Sequence, residues 1–259
     1  MTLASTSFVF GHEFWISPVQ YSVTTDESIV ADLRVGQNFK GGAYAYIPNN
    51  FVRFEIANGD EAISVEGRIG DRPALNMVPP HEGLWVVVHE TTDNKLTYRD
   101  WELFTGFVEH KDLTGTVEAH LTRNLSKVGV KETYRRFAKS LIAVGTAAGA
   151  DQDFGMRTEI IAEANPYVDD LSAGFPVRVM FEGAPRRDVQ LEVFEKDPSG
   201  EVTVSTLRTD EEGRVHVPVQ KGHEYNLDAV VMLPLEVQDP ETDPAWQSLW
   251  AGMTFKVLD

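Results

Sequence analysis

The 259-residue chain predicts an all-β protein, built as two immunoglobulin- or transthyretin-like β-sandwich domains with a short helical insertion. Three observations carry this expectation. Short β-branched or aromatic runs broken by turn residues fill Phe14 to about Val88, and the same pattern returns more cleanly from Thr158 to the end. Between them, over Tyr98 to Leu125, the apolar residues move to helical spacing. With 42% hydrophobic and 10% aromatic residues, the chain also has enough apolar side chain for two medium-sized cores. The expected boundaries are 12–155 for an N-terminal domain carrying the insertion at about 98–125, and 156–259 for a C-terminal domain.

In order, Leu3 to Phe10 resembles the end of a secretory leader, with small or short residues at Val9 and Gly11, although no basic segment precedes it. Gly11-His12-Glu13-Phe14-Trp15-Ile16-Ser17-Pro18 then opens the first strand, its two large aromatics suited to anchoring an edge to a core. Ile29 to Val35, Ala43 to Ile47, Phe51 to Ile56 and Leu84 to His89 follow as strands; Val52, Phe54 and Ile56 alternate with Arg53 and Glu55. Trp101, Phe104, Phe107 and Val108 predict one helix, and Val117, His120 and Leu121 a second after Asp112-Leu113-Thr114-Gly115. Tyr134 to Val144 fits a helix by propensity and a strand by its β-branched end. Gly145 to Gly155 is the expected linker. Beyond it Val177, Val179 and Phe181, then Val189, Leu191 and Val193, then Val215, Val217 and Val219 alternate with polar neighbours, and Tyr225, Leu227, Ala229 and Val231 share a face. Turns fall at Glu182 to Pro185, Asp197 to Gly200 and Asp210 to Gly213.

The formal charge of -17, from 40 acidic and 23 basic side chains, repels nucleic acid and anionic headgroups and attracts cations. No apolar run approaches the roughly 18 to 20 residues of a membrane helix. Cysteine is absent, which removes thiolate metal sites, thiol catalysis and disulfides. Nucleophile-elbow, nucleotide-loop and His-Glu-x-x-His signatures are missing as well, so hydrolase, nucleotide-binding and zincin readings each lose their sharpest support.

Histidine carries the remaining chemistry. Of seven, four stand directly before a glutamate: His12, His81, His89 and His223. Neighbours on a strand point to opposite faces, so a site must gather histidines from different strands. His12, at the expected mature terminus, is the first candidate ligand, because cleavage after Gly11 would put an α-amine and an imidazole in one residue able to close a chelate ring. His81 and His89, flanking an apolar strand beside Pro79-Pro80, are the other two. His110, His120 and His216 are expected at the surface. Asp151 to Gly155 has a faint calcium-loop pattern without the closing glutamate, which favours a solvated linker.

Several stretches together resemble a family of bacterial secreted proteins described as periplasmic components of nickel or cobalt uptake systems. They are His12 to Pro18, Val35-Gly36-Gln37 with an aromatic following, Tyr134 to Leu141, Asp210 to Val215, and Trp246 to Phe255. The resemblance implies a periplasmic all-β protein with a signal peptide, capturing a divalent transition metal, nickel or cobalt, beside a membrane metal transporter and not known as an enzyme; copper also suits the α-amine and imidazole pair at His12. His12 matches the family's N-terminal histidine; where relatives often place a histidine before methionine, this chain has Val231-Met232. Two other classes compete with that reading. One is a carbohydrate- or protein-binding sandwich module using Trp85, Trp246 and Trp250 as platforms, although the same residues also suit core packing. The other is a copper oxidase with an N-terminal histidine brace at His12.

Overall fold

Trp85 and Val87 point into one core while Leu84, Val86 and Val88 point into another, so this single strand is buried on both faces. Its run Leu-Trp-Val-Val-Val has the continuous apolar character that such a position requires. The structure, a computed structural model, describes residues 12–259, and the leader expected over Leu3 to Phe10 with its cleavage after Gly11 lies outside them. Strand accounts for 48% and helix for 8% of the described residues, a mostly-β, sandwich-like architecture of several sheets.

The first half runs β1 (Glu13–Pro18), β2 (Ser22–Val23), β3 (Ile29–Gln37), β4 (Lys40–Tyr44), β5 (Phe51–Asn58), β6 (Glu61–Ser64), β7 (Leu75–Met77), β8 (Gly83–Thr91) and β9 (Asn94–Thr97). Helices α1 (Trp101–His110) and α2 (Thr116–Thr122) come next, then the 14-residue strand β10 (Lys131–Val144). The Tyr134 to Val144 segment, open between helix and strand on propensity, is therefore strand. The second half holds β11 (Thr158–Ala162), β12 (Phe175–Phe181), β13 (Ala184–Pro185), β14 (Gln190–Lys196), β15 (Val202–Arg208), β16 (Arg214–Val217), β17 (Glu224–Pro234) and β18 (Trp246–Lys256).

These strands form a ten-stranded central sheet in the order β15-β14-β17-β18-β10-β8-β5-β6, with β2 and β9 also on β10. The β10–β18 pair is parallel, from Glu132 opposite Trp246 to Ser140 opposite Thr254, and it joins the two halves of the chain in one sheet. On one face lies the four-stranded sheet of β1, β3, β4 and β7, closing a core around Phe14, Ile16, Ile29, Leu33, Trp85 and Ile142. On the other lies the sheet of β11, β12, β13 and β16, closing a core around Ile160, Phe175, Val177, Leu227, Leu249 and Phe255. That second core also takes in Leu84, Val86, Val88, Phe137 and Leu141, so the strands after residue 156 do not close it alone.

The helices make a third cluster over Val230, Trp246 and Trp250, on the side chains of β17 and β18 that alternate with those of the second core. Asp100 starts α1 by accepting a bond from the Leu103 N–H at 3.0 Å. Thr254 Oγ1 donates to the Ile16 carbonyl at 2.8 Å, tying β1 to the central sheet. A seam thus runs between β1 and the helical insertion, over the face that β10, β14, β17 and β18 present.

Candidate functional site

Five ionisable side chains converge in that seam. Glu13 enters it from β1, Arg136 from β10, Glu192 from β14, Asp228 from β17, and Lys111 from the C-cap of α1. All but Arg136 are buried, with Glu13 at 5% and Glu192 at 2% exposure. Lys111 Nζ bonds Asp228 Oδ2 at 2.7 Å and Glu192 Oε2, and it sits 4.9 Å from the Trp250 ring centroid. His110 Nε2 reaches Glu192 Oε1 at 2.9 Å from the rim. Arg136 packs over Phe14 and Tyr134 and donates Nη2 to the His12 carbonyl at 3.1 Å.

The electrostatics follow from burial. Desolvation opposes the Lys111 charge, yet Asp228 and Glu192 beside it hold its proton affinity above that of a free lysine. Burial likewise works against the Glu192 anion, but bonds from His110 and Lys111 leave its pKa below the usual carboxylate value. Glu13 has no such cation in direct contact. Burial pushes its carboxyl up to about 7, Lys111 opposes the rise, and Asp228 and Glu192 reinforce it. Its carboxyl accepts a hydrogen bond from the Asn38 N–H at 3.3 Å.

The structure does not bring the three candidate metal ligands together. His12 is exposed at the entrance of the seam. His81 is also exposed, with Nε2 on Glu61 Oε2 at 2.7 Å and Nδ1 by the Glu82 carbonyl at 2.8 Å; that carbonyl and then Glu61 raise its pKa. His89, 1% exposed, is enclosed by Phe14, Phe51 and Phe54 with ring centroids 5.3, 4.7 and 4.9 Å away. Neither of its nitrogens has a hydrogen-bond partner of normal geometry, and burial drives its pKa down to about 3. His81 lies in the bend before β8, whereas His89 is near the far end of that strand, six residues past Gly83. Among the described residues no group of three or more His, Asp or Glu side chains is arranged to hold a metal ion.

Other expectations change as well. His120 is not a surface residue: at 1% exposure it accepts from Trp246 Nε1 at 3.0 Å and faces the Ser126 carbonyl. His216 is exposed. Trp85, Trp246 and Trp250 are 0, 2 and 5% exposed, so none presents a ring to a sugar. Asp151 is no solvated linker residue, since both its oxygens bind Lys139 Nζ at 2.7 to 2.8 Å, and Glu159 joins them at 3.0 Å. Sequence reasoning missed Glu192 and Asp228 because each alternates with core residues on a face taken as solvated, and Lys111 because it caps a helix between two polar neighbours.

Fold and seam define a β-rich, sandwich-like protein with a buried ionic centre beneath its first strand. The chain belongs to the family described as Domain of unknown function (DUF4198), whose pattern matches residues 9–233. Comparison with curated proteins gives no match. Among solved structures, the crystal structure of a tetra-tandem repeat in the extending region of a large adhesion protein is similar at 10% identity and a TM-score of 0.23, covering 95% of this chain. The chain spans 50% of that structure's length. Among the described residues no helix is long and apolar enough to cross a membrane.

Proposed function

We propose that the protein is a periplasmic, non-catalytic binding module that captures a divalent transition-metal ion, nickel or cobalt by preference, at His12 and presents it to a membrane transporter. The observation that carries this reading is the mounting of His12. Its imidazole is exposed while its carbonyl is held by Arg136, and the next residue, Glu13, is locked into the ionic seam. The anchored backbone fixes where this exposed imidazole is displayed, and the net charge of -17 raises the local cation concentration. His81 and His89 take no part. The further ligands are an α-amine released by cleavage before His12 and groups of the transporter, which makes the site one of modest affinity suited to passing an ion on.

Calorimetric titration with nickel, cobalt and copper of protein beginning at His12, of protein retaining Met1 to Gly11, and of His12→Ala tests this. Binding by the first, weakened in the second and lost in the third, is expected. Equal binding in all three, or none in any, overturns it.

A further inference from the structure

A cavity of about 230 Å³ lies where the central sheet is locally incomplete. β14 pairs with β17 only as far as Glu192 opposite Asp228, whereas β17 runs on to Pro234. The α1–α2 turn and the segment leading into β14 cover the strand edge left open, and the space between them is walled by Leu113, Val189, Val230 and Met232. Arg186 reaches into this region and donates Nη2 to the Val230 carbonyl at 2.9 Å.

The surroundings of the Arg186 guanidinium are unusual. Its Nη1 is buried and, among the described residues, has no hydrogen-bond partner, and none of their carboxylates forms an ion pair with the guanidinium. The two acids at the cavity, Asp112 and Asp188, are both engaged by Arg208 instead, Asp188 at 3.3 Å. Lys111, also at the cavity wall, is neutralised by Glu192 and Asp228. Burial alone acts on the guanidinium and pulls its pKa down to about 10, so it stays charged at neutral pH. A buried cation with no counter-ion is costly, and an anion seated against it removes that cost. Thr114 and Thr116 also line the space, the Thr114 hydroxyl donating to Asp112 at 3.5 Å.

We propose that this cavity binds a small organic carboxylate, its oxygens on Arg186 Nη1 and its short aliphatic tail against Leu113, Val189, Val230 and Met232. Its volume lies below the roughly 300 to 1,000 Å³ of sites for larger ligands, which restricts the tail to a few carbons. The cationic pole selects the carboxylate over a neutral amide, and the apolar wall selects it over an inorganic oxyanion. Nη1 is closed off from solvent in the free protein, so seating the carboxylate on it requires the guanidinium to turn towards the cavity. This site is separate from His12 and independent of metal capture.

Titration of the full chain with butyrate, butyramide and phosphate at constant ionic strength, followed by NMR, tests the assignment. Butyrate is expected to saturate the amides of Val230 to Met232 and the methyls of Leu113 and Val189. Butyramide and phosphate should each bind at least about tenfold more weakly, a difference of ~1.4 kcal/mol. Arg186→Gln should lose the preference for butyrate over butyramide, and Met232→Trp, which fills the space and leaves the guanidinium in place, should lose both ligands. Absence of saturation, equal affinity for butyrate and butyramide, equal affinity for phosphate, or undiminished butyrate binding by either variant overturns the proposal.

Discussion

Replacing His89 with phenylalanine isolates what it costs to hold a neutral imidazole in an aromatic enclosure. The unfolded chain takes up this proton near pH 6.5, whereas the folded ring resists it until about 3. Above 6.5 neither state carries the proton and the histidine imposes no penalty. As pH falls through 6.5 towards 3, the unfolded state binds a proton that the folded state does not, and stability is lost. At about pH 4.5, roughly two pH units below the unfolded value, the loss is on the order of 3 kcal/mol at ~1.4 kcal/mol per unit. Phenylalanine preserves the ring among Phe14, Phe51 and Phe54 and adds a pH-independent packing offset of about 1 to 3 kcal/mol. Urea unfolding followed by tryptophan fluorescence, from about pH 8 down to about pH 4.5, reads the difference between variant and wild type. That difference should be flat above neutrality and move in favour of the variant by on the order of 3 kcal/mol at the acid end. Glu13 and Glu132 titrate in the same window with the opposite sign, but both proteins contain them and the difference cancels their effect. A flat difference across the whole range would show that His89 is protonated in the folded state and refute the reasoning.

Glu132 offers the converse case. Burial raises its carboxyl to about 7 despite bonds from Tyr98 Oη and Ser248 Oγ, so wild-type stability falls as pH rises from 4.5 to 7. Glu132→Gln should gain on wild type by on the order of 3 kcal/mol across that window in the same unfolding assay, and a difference that does not change with pH would count against the assignment. Lys139→Met leaves Asp151 and Glu159 facing each other in the interior without their cation. Its expected loss is about 3 to 5 kcal/mol near neutral pH, shrinking in acid as the carboxyls take up protons; a loss below ~1 kcal/mol would mean that water enters the site.

The alternation of Val177, Val179 and Phe181 and of Leu191 and Val193 was enough to place β12 and β14 and their core faces, because period-two spacing has one buried solution on a pleated strand. The change to helical spacing over Trp101 to Leu121 likewise placed α1 and α2, and Asp100 marks where the first begins. Phe14 and Trp15 were legible as anchors of the first strand, which is where they lie. Local pattern did not reach the second face. Asp228 follows Leu227 and precedes Ala229, and Glu192 stands between Leu191 and Val193, so each reads as the solvated side of an amphipathic strand. Only the folding of β1 and the helical insertion back over β17, β14 and β18 turned that side into an interior and forced Glu13, Glu192 and Asp228 to share Lys111 and the neighbouring Arg136. The same holds for His89, buried by Phe14, Phe51 and Phe54 from other strands, and for His120, which meets Trp101 and Phe104 of the other helix and Trp246 of β18. Periodicity records which way a side chain points along its own strand or helix; what it then meets is set by the element that crosses above, and that crossing is a property of the tertiary structure alone.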